Sequence, residues 1–182
     1  MEVGGSSDIE AALDRAIEDQ DSIGGIIECR ISEVPVGLGE PFFDSLEAVM
    51  SHMVFSIPAI KGIEFGSGFR AAGMKGSEHN DNIIDSTGTT ETNNAGGING
   101  GISNGNEIVF RVAVKPTSST HQPQRTMNMQ TGNMDELSIE GRHDTCIALR
   151  VPVVVEAAAA IVMADFMLLA QQAGQIYNQK TD

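Results

Sequence analysis

The chain reads as an α+β protein built on an antiparallel sheet, and three stretches predict this. Residues 26–34 alternate Ile27, Cys29 and Ile31 with Glu28, Arg30 and Ser32, a period of two that suits a strand with one wet face. Residues 107–114 alternate Ile108, Phe110, Val112 and Val114 with Val109, Arg111 and Ala113, the pattern of a buried strand. The run from Val153 to about Ala173 is apolar nearly all round, so as a helix it must be covered on more than one side. With 182 residues, 41% of them hydrophobic, the chain is long enough for one globular domain with a real core.

The remaining elements follow in order. Residues 8–19 place Ile9, Leu13, Ala16 and Ile17 on one helical face, with Ser7 or Asp8 as the cap. Gly24 and Gly25 end that pattern before the first strand. Residues 35–40 form a turn-rich connector. Pro41 then stands at a natural first helical position before Phe42, Phe43, Leu46, Val49, Met50, Met53 and Val54, so a helix is expected to about Phe55. A strand is expected over 57–65. The Gly66-Ser67-Gly68-Phe69-Arg70-Ala71 run matches a dinucleotide fingerprint by letter. It is rejected because 72–94 is polar and aperiodic, whereas the fingerprint requires a following helix to receive the pyrophosphate. Residues 76–94 and 120–140 are expected to be mobile loops within a single 1–182 unit, and 178–182 a frayed end.

The net charge of −14 argues against nucleic acid and anionic membrane as partners, because counterion release cannot drive such binding. The distribution is uneven. Residues 1–47 carry 12 acidic side chains against Arg15 and Arg30, whereas Lys61, Arg70, Lys75, Arg111, Lys115, Arg125, Arg142 and Arg150 lie in the middle of the sequence. A small anion can therefore meet a basic pocket on an acidic protein. Cys29 and Cys146 lack CxxC spacing, which predicts free thiols, no structural metal and, with no apolar leader pattern, a cytoplasmic setting. Glu156 and Asp165 interrupt the long apolar run and favour a buried helix over a membrane span.

Candidate chemistry concentrates in two places. Between residues 93 and 105, glycines alternate with Asn93, Asn94, Asn99 and Asn104, residue types that accept positive φ and can leave N–H groups free to wrap a ligand. The strand that follows delivers Lys115-Pro116-Thr117-Ser118-Ser119, one cation and three hydroxyls at a strand end, a set suited to phosphate or an electron-rich ring edge. Farther on, Arg142 offers a planar fork for an anion and Asp144 a proton acceptor. From spacing alone, a plain Gly/Asn connector and a surface Arg142–Asp144 ion pair explain the same residues. His52, His79, His121 and His143 carry no pattern that makes any of them a catalytic acid, although His143 can orient its neighbours.

The segments TNNAGGINGGISNG, KPTSS and GRHDTC, followed by VPVVVEA, resemble chorismate synthases in order and separation. SIGGIIECRISEVPVGLGEPFFDSLEA, SIPAIKGIEFGSGF and KGSEHND are similar to the same family, so the resemblance runs from about residue 20 to about residue 170. It implies a β-α-β sandwich of antiparallel sheets around a helical layer, of which this chain is the C-terminal half. It implies the 1,4-elimination of phosphate from 5-enolpyruvylshikimate 3-phosphate to give chorismate, with reduced FMN and either NADPH or an external reductase as electron source. Flavin contacts map onto Pro58, Ala59, Gly100, Lys115, Pro116, Thr117, Ser118, Ser119 and Arg142, and the proton-handling role onto Asp144. The implied partners are the N-terminal half of the enzyme and further copies in a tetramer, and the loop over 76–94 becomes a lid. The family's Gly-Glu-Ser-His-like motif and its arginine- and serine-rich motif, which carry the catalytic histidines, do not occur in this sequence. Two other readings compete: a non-catalytic oligomerisation or scaffold module on the same fold, and a flavin protein with another reaction.

Overall fold

The computed structural model describes residues 6–172; the expected cap at Ser7 and the tail over 178–182 lie outside the residues whose side chains or backbone it describes. Its centre is a three-stranded antiparallel sheet in the order β1 (Gly25–Ile31), β5 (Ile108–Val114), β2 (Ile60–Phe65). On β5, the side chains of Ile108, Phe110, Val112 and Val114 all point to the covered face and are buried, as their alternation requires. β1 follows the predicted rhythm, with Ile27, Cys29 and Ile31 turned toward the core and Glu28 and Arg30 outward. β2 is shorter than the predicted strand and contains an irregularity between Ile60 and Gly62.

Two helices cover one face of the sheet. α2 (Leu46–Phe55) buries Leu46, Met50 and Val54, and α4 (Pro152–Gln172) buries Val155, Ala159, Val162, Met163 and Phe166 against the same core. The other face is charged. Glu28, Arg111 and Glu64 lie directly across β1, β5 and β2, with Arg111 Nε 2.9 Å from Glu64 and Nη1 3.3 Å from Glu28. Pairs this open to solvent add little stability each, but they keep the outer face wet and fix the strand register. Among the described residues one sheet covers the helical layer, and α4 keeps a second apolar stripe of Val154, Ile161 and Leu168 exposed. α4 is long and apolar enough to cross a membrane, yet its buried stripe packs it into the core.

The start of α2 differs from the periodicity reading. Phe42 and Phe43 are 89% and 91% exposed in a 3-10 turn, and the helix begins only after Ser45, whose hydroxyl accepts the N–H of Ala48. A capping hydroxyl therefore sets the boundary, and the two phenylalanines fall outside the apolar stripe. The rejected fingerprint runs into a 3-10 stretch, Gly68–Gly73, rather than an α-helix.

Residues 76–94 have structure of their own: α3 (Gly76–His79) and a bridge between Ile83 and Thr90. The segment is organised by Asp81, which accepts from the Thr92 hydroxyl at 2.7 Å and from the N–H groups of Asn94 and Ala95 at 2.7 and 2.8 Å. Residues 120–140 carry the hairpin of β6 (Gln124–Asn128) and β7 (Asn133–Leu137). Between these segments, the short pair β3 (Ile98–Asn99) and β4 (Ile102–Ser103) leads into β5.

Partial burial alone would raise the Asp81 pKa, but the donors from Ala95, Thr92 and Asn94 outweigh it and hold the carboxyl below its ordinary value of 3.8. The stabilisation is therefore complete above that value and is lost as the pH falls below about 4, because the unfolded chain takes up the proton first. Asp81→Asn turns an acceptor toward three donors into an amide; denaturant unfolding at neutral pH is expected to show a loss on the order of 1–3 kcal/mol, and the acid-sensitive part of the stability to disappear.

Candidate functional site at the exit of the central strand

The site begins where β5 ends. Lys115 leaves the strand with its N–H donating to the Ala59 carbonyl at 3.0 Å, which brings the Pro58–Ala59 corner beside the Lys115–Ser119 loop. Ala59 sits at φ 72°, a left-handed turn after α2 that aims this corner back at the sheet. Lys115 and Ser118 are exposed, and Ser119 is half-buried. Thr117 is different: its Oγ1 is buried and has no hydrogen-bond partner among the described residues. A buried hydroxyl left unpaired costs free energy unless something completes it, so the loop has a donor and acceptor site to fill.

The Arg142–Asp144 segment reaches the same place from the other side. A hollow of about 250 Å³ lies between the two loops, with Ser119, Thr120 and His121 on one wall and His143, Asp144 and Thr145 on the other. The floor comes from the end of α1 (Ser6–Glu18) and the turn after it, including Ala16, Asp21 and Ser22. Lys115 and Arg142 are not among the lining residues: Arg142 precedes His143 in the chain, and Lys115 lies four residues before Ser119. The His121 and His143 rings touch across the hollow, with centroids 5.1 Å apart.

Asp144 does not pair with Arg142 as the spacing suggested. Its carboxylate accepts from Arg150 Nη2 at 2.8 Å, six residues on and just before α4, while Arg142 is exposed with no ion-pair partner among the described residues. The guanidinium of Arg142 is thus available to an anion, and Arg150 orients Asp144.

The glycine-rich stretch is placed elsewhere. Gly100 lies in the β3–β4 turn, next to the start of α2, where the Gly101 carbonyl accepts the Leu46 N–H. That is the opposite end of β5 from Lys115, about 20 Å away at the rise of a seven-residue strand. The collar's donors are also used internally. Asn93 accepts the Gly97 N–H at 2.8 Å and donates to the Glu107 carbonyl, Asn104 accepts the Asn106 N–H, and the Ser103 N–H meets the Leu38 carbonyl. Its glycines serve close packing: at Gly66 and Gly96, both with positive φ, any Cβ would collide with the other's backbone. The structure thus sets Lys115 beside Ala59 and brings Ser119 and Asp144 to one hollow, while Lys115, Arg142 and Gly100 do not line it.

Residues that periodicity missed hold this neighbourhood together. Ser22 Oγ donates to the Thr117 carbonyl at 2.5 Å, and the N–H of Ile23 donates to the Thr145 carbonyl at 2.8 Å. Next to them, a Cβ on Gly24 would strike the Val114 carbonyl, and one on Gly25 would lie 2.8 Å from Ala148 Cβ. The adjacent glycines were a visible signal of close backbone approach, although not of what approaches. Cys29 takes no part: burial, and then the charge of Glu156, push its thiol up, which leaves it a poor nucleophile.

A family model described as chorismate synthase matches residues 3–168. Chorismate synthase of Chitinophaga pinensis is 61% identical over 176 residues, which are 97% of this chain and 53% of that protein. Those of Opitutus terrae and Archaeoglobus fulgidus are 53% and 51% identical, over 83% and 82% of this chain and 42% of each relative. A crystal structure of chorismate synthase superposes with a TM-score of 0.72 at 32% identity, over 90% of this chain and 43% of that one. The chain thus spans about half the length of the relatives it matches.

Two substitutions check the geometry of this site. Arg150→Ala is expected to change unfolding free energy by less than about 1 kcal/mol, because the pair with Asp144 is open to solvent. Gly24→Ala is expected to cost about 1–3 kcal/mol, because the strand end must move; chemical denaturation of both variants measures the contrast.

Proposed function

The chain belongs to the chorismate synthase family, and on that premise we propose that it supplies the flavin- and anion-holding half of an enzyme that eliminates phosphate from 5-enolpyruvylshikimate 3-phosphate to give chorismate. The observation that supports this reading is that Ser119, at the end of the Lys115–Ser119 loop, and His143 and Asp144, next to Arg142, line one hollow, with a buried, unpaired Thr117 hydroxyl in the first of these loops. The residues fit reduced FMN. Lys115 and the hydroxyls of Thr117, Ser118 and Ser119, with the Pro58–Ala59 corner and the Pro116 turn, would hold its polar groups, and Arg142 would pair with an anionic group. When bound, the flavin lends electron density to the allylic system and takes it back, leaving no net redox change.

In the elimination, the C–O bond to the ring phosphate breaks with its electron pair leaving on the phosphate, a ring proton is lost, and the ring double bond shifts as a second one forms, giving a conjugated diene. Asp144 faces the hollow with its carboxylate oriented by Arg150 and receives that proton. Gly100, at the far end of β5, would reach the flavin of this hollow only across the length of the strand; it has a positive φ with open space where a side chain would stand, and its neighbour Gly101 is the glycine that packs at the start of α2.

We assign the exposed stripe of Val154, Ile161 and Leu168 to the N-terminal half of the enzyme, which would lay the second sheet of the sandwich over it. Oligomerisation into a tetramer, reduction of the flavin by NADPH or a reductase, and a cytoplasmic setting suited to the free thiols Cys29 and Cys146 complete the reading. Groups that clamp substrate from that other half act with these as a unit, so the 182-residue span alone should turn over little.

Phosphate release with substrate and reduced FMN, measured for the chain alone and coexpressed with the N-terminal half of the Chitinophaga pinensis relative, tests this. Activity is expected only in the combination. Robust turnover by the chain alone would overturn the requirement for the other half, and assembly without flavin binding would favour a non-catalytic scaffold. Ile161→Asp and Leu168→Asp are each expected to block that assembly while leaving the circular dichroism of the isolated chain unchanged, since both side chains are 57% exposed.

A further inference from the structure

We infer that Ser22 is a positioning residue that sets the separation between the two loops of the site. This rests on the flavin-site reading above and goes beyond it, because Ser22 belongs to neither loop. Its hydroxyl donates to the Thr117 carbonyl at 2.5 Å, and the next residue's N–H donates to the Thr145 carbonyl at 2.8 Å. Two consecutive residues therefore tie one loop each, 28 residues apart in the chain.

The backbone at Ser22 is itself held, because its N–H donates to Asp21 Oδ1 at 2.8 Å and the following Gly24 and Gly25 bring this turn close against the Val114 carbonyl and the Ala148 methyl. The turn cannot drift away from the sheet without losing that fit. Neither loop has regular structure between Lys115 and His121 or between Gly141 and Cys146, so each depends on such side ties for its place.

Fixing the Thr117 carbonyl has a specific consequence. It sets the backbone of the residue whose Oγ1 is buried and unpaired, and thereby the direction in which that hydroxyl can meet a ligand. On the opposite side, the Thr145 carbonyl is one residue from Asp144, so the same turn limits how far the carboxylate can move from Ser119. The contact of His121 with His143 joins side chains alone, and Ser138 and Ile139 bond the His121 carbonyl and the His143 ring at 3.2 Å each; Ser22–Ile23 is the tie that holds a backbone carbonyl of each loop.

The test compares Ser22→Ala and Ser22→Thr with the wild type, in the isolated chain and assembled with the complementary half. In the isolated chain, amide hydrogen exchange of Ser22→Ala should quicken in both 115–121 and 142–147 and stay at the wild-type rate in 108–114. In the assembly, Ser22→Ala should weaken reduced FMN about five-fold, the equivalent of one hydrogen bond, and Ser22→Thr, which keeps the donor, should restore both readouts. Unchanged exchange in either loop, or a threonine variant as impaired as the alanine one, would overturn the inference. Ser22→Cys, close in size and a weak donor, carries the same comparison if the alanine variant does not fold. Wild-type and Lys115→Ala assemblies that bind FMN equally poorly would count against the flavin reading, while the exchange data would still judge the tie.

Discussion

Everything in this fold depends on β5 being paired on both sides. It is antiparallel to β1 and to β2, and its inner side chains Ile108, Phe110, Val112 and Val114 form the floor on which α2 and α4 pack. A strand so enclosed has no freedom in register: a slip of one residue would bring Arg111 into the core and Phe110 into water. The cross-strand row Glu28–Arg111–Glu64 on the outer face reinforces the same register. Because β5 cannot shift, the point at which Lys115 leaves it is fixed, and the site inherits its location from the core.

From that point outward the structure changes character. The loops around the hollow are held by backbone carbonyls of Ala59, Thr117 and Thr145 accepting from remote segments, rather than by helices or strands. Such ties are few, and each polar group they satisfy is one that would otherwise be bare at the edge of the core. Thr117 Oγ1 remains the exception, a buried hydroxyl that nothing in the surrounding loops completes. The loop therefore satisfies its carbonyls and leaves one buried hydroxyl without a partner.

The parts of the fold that periodicity encodes were legible. Alternation in 26–34 and 107–114 found the sheet, and the near-uniform apolarity after Pro152 found a helix with two faces to cover. What periodicity does not encode was misjudged or missed. Phe42 and Phe43 fit the apolar spacing of α2, but Ser45 caps the helix three residues later and leaves them outside. Asp144 and Arg142 are neighbours in sequence, yet the 3-10 turn over Ile147–Arg150 brings Arg150 to the carboxylate instead. The asparagines of the collar look like free ligand groups in sequence and prove to be bonded to their own loop, as does Asp81 a few residues earlier. Ser22 carries no signal at all by itself. Each of these outcomes is decided by which remote carbonyl or cation lies within about 3 Å of a polar atom, a distance that sequence spacing does not measure.

The helical layer explains how a span of this length closes a core and still exposes an apolar face. α4 buries Val155, Ala159, Val162 and Phe166 under the sheet, and that stripe with α2 closes a core around Phe110 and Met50. One covered face is enough to hold the strands together. The stripe of Val154, Ile161 and Leu168 faces the other way, and apolar side chains repeated along one helical face at that spacing gain nothing from water. The relatives that match this chain almost from end to end are about twice as long as the portion matched. A helix with one apolar stripe under the sheet and a second one bare is the arrangement expected of a layer that a further element covers, which is the role proposed above for the remaining half of the family's length.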